Sequence, residues 1–199
     1  MTRIFRYILA HDSGMAPCVG NGLLTLATCK PGIRSSAKIG DWIIGCRPSP
    51  APRGLVVWAG CVIKKLHVGE YERQFRGRSD AVYREKNDSS FRRLRPEYHP
   101  EDDEFRKDTS HPVLIFDMES TWYFARDPNL MPESLIHLAP KGRPYSVNGT
   151  KLGEPEGLNN WLCGIASPGI RGVPRDRPPS GPKGGCSSKP SVGSMSGCA

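Results

Sequence analysis

The sequence predicts a mixed α+β protein centred on a small, partly closed β-barrel, with short helices and a disordered C-terminal tail. Two observations support this fold class. Glycine and proline together supply 41 of the 199 residues, 22 and 19 respectively, a share typical of many turns and short strands. Hydrophobic residues make up 37% of the chain and fall in short runs, which is enough for one folded domain.

Short apolar or alternating segments mark the predicted strands. Charged and apolar side chains are interleaved over residues 1–10, of which residues 4–10 predict the first strand, and the short, mainly apolar run at residues 41–45 predicts a buried strand after a glycine turn. Residues 23–29 predict a further strand or a short turn of helix. Residues 55–66 predict one long strand, whose interior Gly60 indicates a bulge or a bend of the kind found in small barrels.

The middle and the end of the chain add a charged segment and a second group of elements. Residues 67–110 are rich in both signs of charge and predict a long excursion outside the core, with one or two helical turns at residues 70–75. Residues 111–116 and 121–125 predict a hairpin, and residues 158–162 predict a short helix.

Composition divides the chain into a domain at residues 1–166 and a disordered basic tail at residues 167–199. Proline, glycine and serine dominate the tail, which therefore buries too little apolar surface to offset the entropy lost on ordering. The tail also holds half of the formal charge of +8, so the domain itself is only mildly basic. Such a charge permits nucleic acid as a partner without requiring it.

We expect a cytoplasmic protein that makes no membrane contact. No run approaches the roughly 18 apolar residues of a membrane span, and the N-terminus lacks the apolar core of a signal peptide. The seven cysteines include no Cys-x-x-Cys pair, which favours buried free thiols over a zinc site. His99, Asp108 and His111 have irregular spacing for metal ligands. We therefore expect neither a metal site nor a cofactor.

Two residues are candidates for catalysis, although the sequence leaves open whether the protein is an enzyme. Asp12 follows the first strand, where it can act in acid–base chemistry or cap a turn. Cys29 precedes Lys30, and a thiol beside a cation can be a nucleophile. The alternative is that Cys29 packs inside while Lys30 faces solvent. Lys30 and Arg34 are also candidates for phosphate contacts.

Two stretches of the chain resemble a known protein family. They are Thr-Leu-Ala-Thr-Cys-Lys-Pro at residues 25–31 and Gly-Asp-Trp-Ile-Ile-Gly at residues 40–45. Together with further pieces between residues 4 and 140, they resemble the second nucleotide modification associated domain family. The Gly-Asp-Trp turn is also similar to that of PUA, EVE and ASCH-type barrels, which bind RNA or read modified bases. That second likeness concerns the fold alone.

The resemblance implies a nucleotide- or base-binding module associated with DNA base modification or hypermodification. The expected nucleotide-binding residues are Asp12, Lys30, Arg34, Asp41, Trp42 and Tyr123. The first alternative is an enzyme, a transferase or a hydrolase, that acts on modified nucleotides through Asp12 and Cys29. The second alternative is a protein-interaction module without a nucleic-acid role. The expected partners are nucleic acid or nucleotides, together with base-modification enzymes.

Overall fold

A computed structural model describes residues 2–142, 145–148 and 153–176 of the chain. The thirteen strands in these ranges, β1 to β13 in chain order, are Ile4–Ile8, Cys18–Gly20, Leu23–Leu26, Trp42–Cys46, Leu55–Cys61, Lys64–Leu66, Tyr83–Glu85, Phe91–Arg93, Val113–Asp117, Thr121–Tyr123, Asn129–Leu130, Ser146–Asn148 and Gly169–Ile170. The helices α1 to α4 are Pro31–Ser36, Val68–Gln74, Asp102–Thr109 and Glu154–Ile165, and a 3-10 helix covers Glu133–Leu138. These elements confirm a mixed α+β fold with short helices.

The strands form three sheets. The largest has the order β12-β1-β4-β5-β10-β13, with β11 joined to β5. The second has the order β2-β3-β9-β6, and β7 pairs with β8. The chain crosses from the largest sheet to the second between Cys61 and Lys64, where the predicted long strand at residues 55–66 is divided in two. The closure of these sheets into a partial barrel stays a prediction.

Alternating side chains along the strands place the largest sheet between two apolar layers. Ile43 of β4 and Trp58 of β5 join a buried cluster shared with the second sheet. Ile44 and Trp122 belong to the cluster on the opposite face, which α4 covers with Leu158 among others. Because successive residues of a strand point to opposite faces, a short apolar run such as β4 serves both layers at once.

The charged excursion at residues 67–110 contributes to the core, unlike the sequence prediction. Tyr71 of α2 and Tyr83 and Tyr98 of the following segment are buried against Val113 of β9 in a third apolar cluster. The excursion joins the core because a few apolar and aromatic side chains lie among its charged residues and cover the outer face of the second sheet. The excursion thereby brings its polar residues next to the strands of the first sixty residues.

The predicted hairpin of residues 111–116 and 121–125 is wrong. A turn does form between them, since the backbone N–H of Ser120 donates to Asp117 Oδ1 at 2.8 Å. However, β9 pairs with β3 and β6, whereas β10 pairs with β5 in the other sheet. The turn is therefore a corner between two sheets, because each strand finds better partners than its neighbour in sequence.

Residues 167–176 belong to the described fold, although their composition resembles that of the tail. Within them, β13 pairs with β10, so that Ile170 lies beside Tyr123. The rest of the predicted disordered tail, residues 177–199, lies outside the described residues. Within the described ranges, no helix is long and apolar enough to cross a membrane.

Gly45 provides the space in which Trp58 packs against Tyr7. The three residues lie side by side on β4, β5 and β1, and Trp58 Nε1 donates to Tyr7 OH at 2.9 Å. A Cβ at Gly45 would lie 2.3 Å from Trp58 Nε1. Gly45 is therefore required for this close approach of the indole ring to the backbone.

Gly45→Ala should lower the free energy of unfolding by about 1–3 kcal/mol, the usual cost of overpacking a core. Equilibrium urea unfolding measures the loss. Gly164→Ala is the control, since a Cβ in that exposed part of α4 meets nothing within 4 Å; alanine there should leave stability unchanged or raise it by up to about 1 kcal/mol. An equal loss in both variants would contradict the packing role of Gly45.

Candidate active site

A cavity of about 630 Å³ lies where β1 ends and α1 begins. This volume is in the range of small-molecule pockets, and the wall is mainly apolar. The wall is formed by the end of β1 and the loop after it, by the turn before α1 with the first residues of that helix, and by the segment before β12. The wall residues are Tyr7, Ile8, Ala10, His11, Ala16, Cys29, Lys30, Pro31, Gly32 and Tyr145. The cavity therefore suits a ligand with a substantial apolar face.

The turn before α1 has an unusual backbone. Cys29 and Lys30 have φ values of 57° and 46°, in the left-handed region that side chains disfavour. Lys30 is the N-cap of α1, and Pro31 follows in the first helical turn, where its fixed φ is well suited. Adjacent residues of this kind persist only when surrounding contacts hold them, and they occur preferentially at functional sites.

Cys29 contacts a histidine and is linked to an aspartate, both from the charged excursion. Cys29 Sγ lies 3.5 Å from His99 Nε2, and His99 Nδ1 lies 2.8 Å from Asp108 Oδ2. The other carboxylate oxygen of Asp108 accepts the backbone N–H of Cys29 at 2.7 Å. This is the order of nucleophile, base and orienting carboxylate that covalent catalysis uses.

Asp108 is held from two further directions. Tyr83 OH donates to Oδ2 at 2.9 Å, and Arg34 Nη1 donates to Oδ1 at 3.2 Å. Arg34 is fully buried and also donates to the backbone carbonyls of Asp108, His111 and Pro112. Because a buried guanidinium needs such partners to offset its desolvation, Arg34 fixes the end of α3 against α1.

Tyr98 covers the same cluster from another side. Its hydroxyl lies 2.7 Å from Thr28 Oγ1 and 3.7 Å from Cys29 Sγ. Its ring stacks on the imidazole of His99 with the ring centroids 4.1 Å apart. Both Tyr98 and His99 are buried, so the polar contacts of the imidazole act in a medium of lower dielectric than water and are correspondingly stronger.

The surroundings of His99 favour its protonated form. Burial opposes the charge, but hydrogen bonds with Asp108 and Cys29 outweigh that cost and raise the pKa of His99 from 6.5 to about 10. At neutral pH the ring is therefore an imidazolium between a carboxylate and a thiol. A cationic neighbour favours the thiolate, which is the reactive form of cysteine. The contact with His99 therefore places Cys29 in the kind of environment in which cysteine nucleophiles occur.

Lys30 and two tyrosines give the cavity a cationic and aromatic wall. Lys30 Nζ lies 4.7 Å from the centroid of the Tyr7 ring. The ring of Tyr145 lies so close to Gly32 that a Cβ there would be 2.3 Å from it. Aromatic rings stack on nucleobases, and cations bind phosphates and other anionic oxygens.

Asp12 and Tyr123, both predicted to bind a nucleotide, are buried and contact each other. Tyr123 OH donates to both carboxylate oxygens of Asp12 at 2.8 Å. Burial raises the pKa of Asp12, and its oxygen Oδ2 also accepts the backbone N–H of Arg175. In turn the backbone N–H of Asp12 donates to Asp176. Asp12 therefore joins the C-terminal segment to the loop that carries the wall residue His11.

Asp41 and Trp42 lie near the start of β1, whereas the cavity lies at its end. Asp41 accepts hydrogen bonds from Arg3 Nη2 at 2.7 Å and from the backbone N–H of Lys38 at 2.9 Å. Trp42 is buried and stacks on Trp122 with the ring centroids 6.1 Å apart. The structure thus separates this pair from the cavity wall.

Of the residues predicted from sequence, the structure brings Cys29 and Lys30 together in the cavity wall and places Arg34 behind them. Sequence reasoning missed His99 and Asp108 as partners of Cys29 and weighed them instead as metal ligands. The available signal was a cysteine beside a cation with a histidine elsewhere in the chain. Within the described residues, no group of three or more His, Cys, Asp or Glu side chains is arranged to hold a metal ion.

His99→Gln should cost more stability at low pH than at high pH. The pKa of His99 is about 10 in the folded protein and near 6.5 in the unfolded chain. Protonation of His99 therefore stabilises the fold fully below about pH 6.5, and this contribution is lost as the pH rises through about 10. Urea unfolding of both proteins at about pH 6 and about pH 10.5 measures the difference. His111→Gln is the control, since that residue contacts Arg34 through its carbonyl. A cost for His99→Gln that does not change with pH would contradict the imidazolium.

A family model described as nucleotide modification associated domain 2 matches residues 1–177. The matched range contains the cavity and the Cys29–His99–Asp108 cluster. No curated protein and no solved structure matches the chain. Because the family model covers far more than half of the sequence, the resemblance is confirmed, and the chain belongs to the nucleotide modification associated domain 2 family.

Proposed function

We propose that this domain is a thiol-dependent enzyme of a nucleotide modification system, which binds a nucleotide or base in the cavity and reacts with it through Cys29. The observation that carries the proposal is that Cys29 belongs both to the cavity wall and to the cluster with His99 and Asp108. In this proposal the base binding predicted from sequence is the first step of the activity, and the covalent reaction with Cys29 is the second.

The wall of the cavity supports nucleotide binding. Tyr145, a half-buried residue of the wall, offers aromatic surface to a base, and stacking on an aromatic side chain contributes about 1–3 kcal/mol per base. Lys30 offers an ammonium group to a phosphate or to an oxygen of the base. The family assignment, which associates the chain with nucleotide modification, agrees with a ligand of this class.

Each member of the cluster has a separate role. The thiolate of Cys29 gives its electron pair to an electrophilic carbon of the substrate and forms an S–C bond. His99 gives its proton to the atom that receives the displaced electron pair, and takes a proton back when the S–C bond breaks. Asp108 is a positioning residue, since it holds the imidazole of His99 and the backbone of Cys29.

The other residues predicted from sequence support the cavity in this proposal. Arg34 positions Asp108, and Asp12 with Tyr123 holds the loop that follows β1. We assign Asp41 and Trp42 to the packing at the start of β1 and β4. The substrate in this proposal is a free nucleotide or a base in nucleic acid, and the partners are other enzymes of base modification.

Nucleotides should protect Cys29 from alkylation. The full-length protein is treated with iodoacetamide, with and without nucleoside monophosphates or a single-stranded oligonucleotide, and mass spectrometry quantifies labelling at each cysteine. At a ligand concentration ten times the dissociation constant we expect labelling of Cys29 to slow roughly tenfold, because about one site in eleven is then free. Cys163, which is exposed, is the internal control. Equal labelling of Cys29 with and without every ligand would contradict the proposal.

Lys30→Ala should weaken nucleotide binding by about tenfold or more, because a hydrogen bond to a charged group contributes about 1.5–3 kcal/mol. Isothermal titration calorimetry measures the dissociation constant of the nucleotide that protects Cys29. Lys64→Ala is the matched control, since Lys64 is an exposed lysine of β6. The same affinity in both variants would show that Lys30 does not contact the ligand.

A further inference from the structure

We infer that the base held in the cavity is a pyrimidine and that the thiolate of Cys29 adds to its C6 atom. This inference rests on the proposed function and names the substrate class of that site. C6 of a pyrimidine is conjugated with the group at C4 and accepts a thiolate. The addition makes C5 nucleophilic, and C5 is then the position at which a modification system can attach a new group.

The backbone N–H of Cys29 argues against acyl transfer as the reaction. In acyl transfer, negative charge develops on the oxygen of the attacked carbon, and the nucleophile's own N–H is a common donor to that oxygen. Here that N–H donates to Asp108 Oδ1 at 2.7 Å and is already engaged. In addition to C6 the displaced pair is delocalised from C5 towards C4 and its neighbouring oxygen or nitrogen, so the charge develops away from the attacked carbon and the N–H of Cys29 is not needed as its donor.

Lys30 supplies a cation to the cavity in which that charge develops. It follows Cys29 directly in the chain, lines the same cavity, and its Nζ lies beside the ring of Tyr7. In a mainly apolar cavity an ammonium group stabilises a developing anion more strongly than it does in water. Cys29 and Lys30 thus provide the nucleophile and the countercharge from one strained turn.

The proton balance of the addition closes with His99 and solvent water. The thiolate pair forms the S–C6 bond, and the π pair of the C5–C6 double bond takes the proton of His99 at C5. A water molecule on the opposite face of the ring then takes the original hydrogen of C5, and the C5–H electron pair restores the double bond and expels the thiolate. The imidazole of His99 regains a proton from solvent. Because C5 is bonded to C6, it lies close to the Cys29 Sγ–His99 Nε2 pair, whose atoms are 3.5 Å apart.

Repeated in water, this cycle exchanges the hydrogen at C5 for a solvent hydrogen and needs no oxidant, reductant or second substrate. Release of tritium from pyrimidines labelled at C5 therefore tests the inference. The full-length protein is incubated with labelled deoxycytidine and deoxyuridine monophosphates, and with the same bases in a single-stranded oligonucleotide. We expect release above the buffer level, and the two kinds of substrate distinguish a free nucleotide from a polynucleotide.

Three variants test whether the release of tritium depends on Cys29 and His99. Cys29→Ser should reduce release to the buffer level, and His99→Gln should slow it by roughly a hundredfold or more, as expected for loss of a general acid–base group. Cys163→Ser is the matched control and should leave release unchanged, because that cysteine is exposed on α4. Far-UV circular dichroism shows that each variant is folded.

The outcomes separate this inference from the proposed function. Protection of Cys29 by nucleotides without tritium release from any pyrimidine would overturn the pyrimidine addition and leave the proposed function standing. If nucleotides gave no protection of Cys29 and no pyrimidine released tritium, both the pyrimidine addition and the proposed function would be contradicted. Release that persists in folded Cys29→Ser would also overturn the addition, since the S–C6 bond would then not be required.

Discussion

The carboxylate of Asp108 holds the candidate site together. Its two oxygens accept hydrogen bonds from the backbone of Cys29 and from the side chains of Arg34, Tyr83 and His99. These donors come from different segments of the chain, and together they offset the cost of burying a charged carboxylate. One acid therefore sets the position of the thiol, the orientation of the imidazole and the conformation of the turn before α1.

The site forms where two parts of the chain with different composition meet. The thiol follows a strand of the apolar first third, whereas His99 and Asp108 belong to the charged excursion. Buried aromatic residues such as Tyr71 fix that excursion on the second sheet. Its polar residues can then reach Cys29 without belonging to the strands themselves, in keeping with the tendency of functional groups to lie on segments held by a rigid scaffold.

Local patterns were sufficient for some of the strands and for the family, and insufficient for long-range contacts. Short apolar runs located β1 and β4, because the pattern that marks a strand is visible within about five consecutive residues. The contact between Cys29 and His99 joins residues 70 positions apart, and no local pattern records it. The same limit applies to β9 and β10, whose partners lie in different sheets. It also applies to Arg34, whose charge predicts a phosphate contact but whose partner is the buried carboxylate of Asp108.

The protonation of His99 between Asp108 and Cys29 can be observed in the intact protein. The chemical shifts of the imidazole nitrogens, followed by nuclear magnetic resonance of uniformly ¹⁵N-labelled protein from neutral to alkaline pH, report whether both nitrogens carry a proton. We expect an imidazolium that persists until the pH approaches about 10, and a lower titration midpoint in Cys29→Ser. A His99 ring that titrates near 6.5, its ordinary value, would contradict the thiolate–imidazolium pair.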